Sequence, residues 1–309
     1  MTAIQDDRSG AVAVSADAGV ETPFRRFLSD YRESPVAVVG AVTVGVIALI
    51  ALLGPWIAPT DPYDLATVSI LDSRLEPGEA MMSGTTAWLG TDGLGRDMLS
   101  AMIYGLRISL GVGIGSGLIA MLIGCSLGLV AAYYGGRADT LIMRVVDIQL
   151  SFPAILVALI LLAVLGKGID KIIVSLVVVQ WAYYARTIRG SALVERRKEY
   201  VEAAASLALG DRRVLFRHLL PNCMAPIIVV VTVQTAHAIS LEATLSFLGL
   251  GLPQTEPSLG LLISNGFEYI MSGSYWISTF PGIALLVTIV SINLVGDRLR
   301  DVLNPRLQK

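Results

Sequence analysis

The sequence predicts an all-α integral membrane protein with six transmembrane helices and both termini in the cytoplasm, and three observations predict it. The composition is 54% hydrophobic against 16% charged over 309 residues, with a mean hydropathy of +0.68, too apolar for an ordinary soluble domain. Uncharged runs recur between charged markers at lengths suited to a hydrocarbon core of about 30 Å, which needs about 20 helical residues. Basic residues fall on alternate connections: with the N-terminus inside, 18 of the 23 lie in the cytoplasm, where loops are enriched in Lys and Arg.

The elements follow in order. Residues 1 to about 22 carry Asp6 and Asp7 and no long apolar core, so they read as a disordered tail and not a secretory signal. Phe24 to Ser34 alternates aromatic and basic residues and suits a short helix in the headgroup region, closing a first unit at 1–34. Val36 to Ala58 is the first span, and Pro59 to Tyr104 is an extracytoplasmic loop, together the unit 35–106. The core, 107–300, holds five more spans. These are Ile108 to Gly136, Ile148 to Gly166, the 14 uncharged residues between Lys171 and Arg186, Leu219 to Leu241, and Tyr269 to Gly296. The fourth is short, and Lys171 and Arg186 can snorkel from its two ends. A cytoplasmic tail, 301–309, closes the chain.

Several chemistries are excluded early. A net charge of -2 gives no basic surplus for nucleic acid. The two cysteines, Cys125 and Cys223, form neither a disulfide framework nor a ligand spacing, and no metal site is expected. The glycine-rich Gly111 to Gly117 lacks the lysine of a phosphate loop, so the chain itself is not expected to bind ATP. An intramembrane protease finds a candidate nucleophile in Ser116, but Ile114 stands where a nucleophile turn needs glycine. A stand-alone channel or secondary transporter would carry more intramembrane charge. No catalytic residue is assigned.

The cytoplasmic segment 190–221 is the least membrane-like part of the core. Within EYVEAAASLALGDRRVLFRHLLPN, residues 199–222, Tyr200 to Leu209 are good helix formers, and Ala203, Ala204 and Ala205 would let a partner approach the backbone. Gly210 offers a helix break, Asp211 an N-cap for a second helix, and Pro221 an end. Physics alone leaves two readings, a docking hairpin or a solvated interfacial hairpin without a partner.

Glu202-Ala203-Ala204, followed sixteen positions after the glutamate by His218 and then Leu220-Pro221, resembles the EAA loop of permease subunits of ABC importers. Two departures stand out: His218 fills a usually apolar slot, and Ala208 stands where that pattern has glycine, with Gly210 the nearest glycine. WLGTDGLGRDMLSAMIYGLRISL, AAYYGG, MRVVDIQLSFP and LEATLSFLGLGLP extend the resemblance to the second permease subunit of dipeptide/oligopeptide importers, over most of residues 85 to 305. The resemblance implies a type I ABC importer permease fold in a bacterial inner membrane. It also implies a homologous second permease, two cytoplasmic ATPases that bind ATP and Mg, and an extracytoplasmic solute-binding protein. In this reading Glu202, Ala203, Ala204, Ala205, Ala208, Gly210, Asp211, His218 and Pro221 form the ATPase-coupling loop. Thr91, Asp92, Arg96 and Asp97 fall where a binding protein docks, or where the loop holds itself together. Similar permeases serve peptides, glutathione, nickel chelates, opines or sugars, and no residue selects among these.

Polar residues at lipid depth normally face a bundle interior or an aqueous cavity. Gln234, His237 and Ser240 recur every three residues on the fifth span, and Gln180 and Tyr183 lie on the fourth; these are the pathway candidates, with contacts to a sister permease the alternative. Asp147 is expected to pair with Arg144 one turn away. Glu242 is expected to accept hydrogen bonds from nearby backbone.

Overall fold

The computed structural model describes residues 23–64, 68–253 and 256–303; the expected tail at 1–22 and the end of the closing tail, 304–309, lie outside the described residues. Among the described residues the chain is helical, with only two isolated bridges, both within residues 80–97.

Helix α1, Pro23–Arg32, forms where a short helix is expected. It docks on the last helix: the Arg298 guanidinium donates to the Asp30 carbonyl and pairs with Glu33 at 3.5 Å. Ser34 caps α2, Pro35–Ile57, accepting from the Ala37 amide, while Pro35 fills a first-turn position that needs no donor. The loop that follows contains a short turn at Ile70–Asp72 and leads to Asp97, whose carboxylate caps α3, Met98–Tyr134, by accepting from Ser100. At 37 residues α3 is about 55 Å long, well over the bilayer core.

Gly135 at φ +64 ends α3, a left-handed turn natural to glycine. Helix α4, Gly136–Ser151, and α5, Ala154–Leu165, come next. Expected as a continuous third span from Ile148 to Gly166, this region is broken by a 92° bend at Phe152-Pro153. Pro153 has no amide hydrogen to carry the ladder on, and it holds Phe152 extended at ψ 141°. Helix α6, Ile169–Glu195, runs 27 residues without interruption and includes both flanking charges of the fourth run. Helix α7, Glu199–Ser206, α8, Asp211–Arg213, a π-helical turn at Val214–Leu219 and α9, Leu220–Asn222, make the segment expected in the cytoplasm. Helix α10 is Met224–Phe247. A short buried helix not expected from sequence, α11 (Leu259–Phe267), precedes α12, Trp276–Leu303.

Four helices, α2, α3, α10 and α12, are each long and apolar enough to cross a membrane, and the bent α4–α5 pair makes a fifth only if counted as one. Helix α6 has the length but carries charges at both ends.

Small residues bring the core helices together. Gly124 and Gly128 of α3 face α6 so closely that a Cβ on either would overlap the carbonyl oxygens of Trp181 or Ala185. This is a GxxxG approach, by which helices pack where lipid gives no hydrophobic drive. Gly113 faces Ile239 of α10 and Gly117 approaches Thr235, whereas Gly111 and Gly115 on the other side of α3 meet nothing within 4 Å. Glu242 is fully buried where α3, α10 and α11 meet. Its carboxylate accepts from side-chain hydroxyls and not from backbone: Ser109 at 2.9 Å, Ser246 at 2.7 Å, and Ser258, the N-cap of α11.

Candidate functional site

The segment 199–222 is built into the core on one side and open on the other. Val201 and Ala204 of α7 are buried in one apolar cluster with Leu129 and Ala132 of α3, Ile188 of α6, and Val214, Leu215 and Leu219 of the π-helical turn. Glu202, Ala203 and Ser206 are exposed on the opposite side. The alanine run therefore divides: Ala204 packs, Ala203 faces out, and the Ala205 side chain lies outside what the structure describes.

The turn forms at Ala208. Its φ is +52°, the left-handed conformation that favours glycine, while Gly210 is extended at φ -59°, ψ 141°. Gly210 is also the residue that precedes α8, so Asp211 is the first helical residue and not the N-cap expected from sequence. Its carboxylate is engaged elsewhere, accepting from the Tyr133 hydroxyl at 2.9 Å and the Tyr134 hydroxyl at 3.1 Å, at the C-terminal end of α3. Arg196 adds donors to the Ala132 and Tyr133 carbonyls. Tyr200 donates to Glu195 at 3.0 Å, and Lys198 pairs with the same carboxylate at 2.9 Å. Burial and the adjacent Glu195 push the Tyr200 hydroxyl up to about 12, so it remains a donor throughout the physiological range. The ties of Asp211 and Arg196 to α3 were not legible in the sequence, because each joins residues more than 60 apart along the chain.

The π-helical turn has a local cause. Pro221 cannot donate, and its ring would crowd the Arg217 carbonyl in a regular helix; the Leu220 amide reaches back to Leu215, widening the turn by one residue. His218 is half-buried with its Nε2 unpartnered, and Asn222 donates to its carbonyl at 2.7 Å. Arg212, Arg213, Phe216, Arg217 and the exposed Pro221 line an open groove of about 820 Å³ beside Asp211.

The fifth-span polar stripe splits. Gln234 is buried, while His237 and Ser240 are exposed on α10 along one face with Val233 and Thr244. On α6, Tyr183 is exposed but Gln180 is fully buried, its Nε2 3.4 Å from the Ser116 hydroxyl. Following the exposed faces of α6 and α10 toward the end of the bundle that carries α7, past Thr187 and Val233, leads into a cavity of about 760 Å³ that reaches Glu195, Lys198, Asp297 and Arg300.

The extracytoplasmic candidates are placed differently from the docking role. Thr91, Asp92, Arg96 and Asp97 are all at most 2% exposed. Asp92 and Arg96 form a buried ion pair at 2.7 Å, Asp97 caps α3, and the Thr91 carbonyl accepts from the Trp276 indole at 3.2 Å. Their polar groups are engaged in folding the loop onto α3 and α12, and their burial removes them from contact with a docking protein. Asp147 likewise pairs across helices with Arg186 of α6 instead of with Arg144. Cys125 and Cys223 are free and share the apolar cluster. No group of metal-ligating side chains occurs among the described residues.

Fold and loop together define a multi-pass helical membrane protein with a helical hairpin seated on the ends of its core helices. Residues 124–309 match the family described as binding-protein-dependent transport system inner membrane component, and residues 22–77 match the N-terminal TM domain of oligopeptide transport permease C. The chain belongs to this family of ABC-importer permeases.

A putative peptide transport system permease protein of Brucella suis is 40% identical over 270 residues, covering 87% of this chain and 88% of that protein. The di/tripeptide transport system permease of Pseudomonas aeruginosa is 36% identical, covering 93% of each chain. The glutathione transport system permease of Pectobacterium atrosepticum is 37% identical, covering 96% and 95%. Among solved structures, an inward-facing form of the MetNI methionine ABC transporter shares the fold with a TM-score of 0.54 at 19% identity, covering 67% of this chain and 98% of that one.

Proposed function

We propose that this chain is the non-catalytic permease subunit of an ATP-driven importer of peptides or similar small solutes. It forms the pathway with a homologous second permease in a bacterial inner membrane, both termini in the cytoplasm and α6 counted as a span. Two cytoplasmic ATPases bind ATP and Mg and hydrolyse the nucleotide, and an extracytoplasmic protein delivers the solute. The observation that carries this reading is the two-sided coupling segment. Glu202 and Ala203 are open to a partner, while Val201 and Ala204 are fixed in the core that joins α3, α6 and α10.

A helix held on one side and gripped on the other passes displacement into the bundle. An ATPase that binds the segment differently in two states biases the permease between them. The groove of Arg212, Arg213 and Arg217 suits acidic groups on that ATPase. On the outer surface, the loop offers its exposed Ile70, Leu71, Met82 and Trp88 to the solute-binding protein, in place of the buried Thr91 to Asp97. Tyr183, His237 and Ser240 lie along the face that opens into the cytoplasmic cavity, which makes them the pathway candidates; Gln180 and Gln234 pack the wall behind it. Peptide cargo is favoured by the named activities of the relatives, with glutathione the second choice on the same ground.

The test is reconstitution with the sister permease, ATPases and binding protein. Peptide uptake should require ATP, and Glu202→Lys should abolish co-purification of the ATPase. Uptake by this chain alone, without any ATPase, would contradict the proposal.

A further inference from the structure

The cytoplasmic helix α4 has a face that no other part of the described chain covers. Val146 is its one fully buried residue, set against Ala182 and Ala185 of α6. Leu141, Val145 and Ile148 are exposed and continue into Phe152, spaced three or four apart, so they lie on one side of the helix. Arg137 and Arg144 flank that stripe, and neither has a carboxylate partner among the described residues. The acidic residues of α4 are neutralised on its other side, Asp139 by Arg189 and Asp147 by Arg186. The outward face is therefore apolar with a cationic edge.

Two independent observations set the direction of α4. It bends 92° from α5, and α5 packs along α6 through Ala158 and Leu162 against Leu176 and Val179. The two ion pairs agree: Asp139 and Asp147 are about 12 Å apart along α4, whereas their partners Arg186 and Arg189 are about 4.5 Å apart along α6, so the helices cross steeply. With α6 across the membrane, α4 lies in its plane, at the level where α6 carries its arginines. Four charged residues in a 16-residue helix are also too many for the hydrocarbon core.

We propose that α4 is an in-plane interfacial helix that binds anionic phospholipid, with Leu141, Val145, Ile148 and Phe152 in the acyl boundary and Arg137 and Arg144 on the headgroups. An apolar stripe with basic flanks is the pattern by which a helix seats in an anionic interface. Arg137 and Arg144 have no carboxylate partner within the described chain, and anionic headgroups at the level of an in-plane helix supply that counter-charge. The proposal requires membrane insertion and is independent of cargo and of ATPase coupling.

The test uses the full chain with its partner subunits in nanodiscs of phosphatidylcholine, with or without phosphatidylglycerol. A fluorophore on Val145→Cys should be quenched by brominated phospholipid. The preference for phosphatidylglycerol around the protein should fall roughly five-fold for each of Arg137→Gln and Arg144→Gln, since each basic side chain at an anionic surface contributes about that factor. Raised salt should reduce the preference in the unaltered chain, a readout that needs no variant to fold. A label silent to brominated lipid but crosslinking to the sister permease overturns the proposal. So does quenching that is indifferent to phosphatidylglycerol, to both arginines and to salt.

Discussion

Ala208 holds the turn after α7 in the left-handed conformation, at φ +52°, with a side chain that disfavours it. Left-handed backbone costs a non-glycine residue about 1–2 kcal/mol, and glycine's extra freedom in the unfolded chain offsets part of the gain from replacing it. Ala208→Gly should therefore stabilise the segment by about 0.5–1 kcal/mol, slowing hydrogen exchange across residues 199–213 roughly three-fold. Gly210→Ala, at φ -59°, should leave exchange nearly unchanged. The reverse ranking would show that the turn sits at Gly210. The motif of residues 202–221 was legible because it is local; which of two nearby residues turns the chain was not, since Gly210 is the better glycine on paper and the packing of Val201, Ala204 and Leu215 fixes the register.

At the scale of elements, α3 is decided by which of its glycines face a neighbour. Gly128→Leu drives a side chain into the Ala185 carbonyl, and overpacking of that kind typically costs about 1–3 kcal/mol or more, so the purified protein should melt several degrees lower. Gly115→Ala, on the open side, should be neutral or raise the melting temperature by improving helix propensity. Equal effects would remove the GxxxG contact from the account. Helices α2, α3, α10 and α12 were readable because an uncharged apolar run is a property of the sequence itself, but only α2 within a residue; ends of the other three lie five to ten residues from the expected bounds. The break before α5 had a visible signal in Pro153, outweighed by the continuity of the apolar run around it. Helix α11 had none: its nine residues are shorter than a span, and it exists because Gly260 and Gly266 let it lie against the backbones of α10 and α12. The charged pair Asp92 and Arg96 looks exposed in the sequence and is buried in a loop that ties to the distant Trp276 through the neighbouring Thr91 carbonyl.

At the scale of the whole molecule, α3 links the two faces. Its N-terminus is capped by Asp97 within the outer loop, and its C-terminal tyrosines hold Asp211 of the coupling segment about 55 Å away along the helix. Asp211→Ala removes both tyrosine contacts and should lower uptake per ATP hydrolysed while the ATPase still co-purifies; loss of the ATPase itself would make Asp211 a docking residue instead. The central claim is that the outward side of α7 receives the ATPase while its inward side transmits to the core. Site-specific crosslinking in the assembled complex tests this most directly, with Ala203→Cys on the exposed side compared with Val201→Cys on the buried side. The account predicts a crosslink to the ATPase from position 203 that changes in yield with nucleotide, and none from position 201. Equal crosslinking from both positions, or ATP-driven uptake with no crosslink from either, would contradict it.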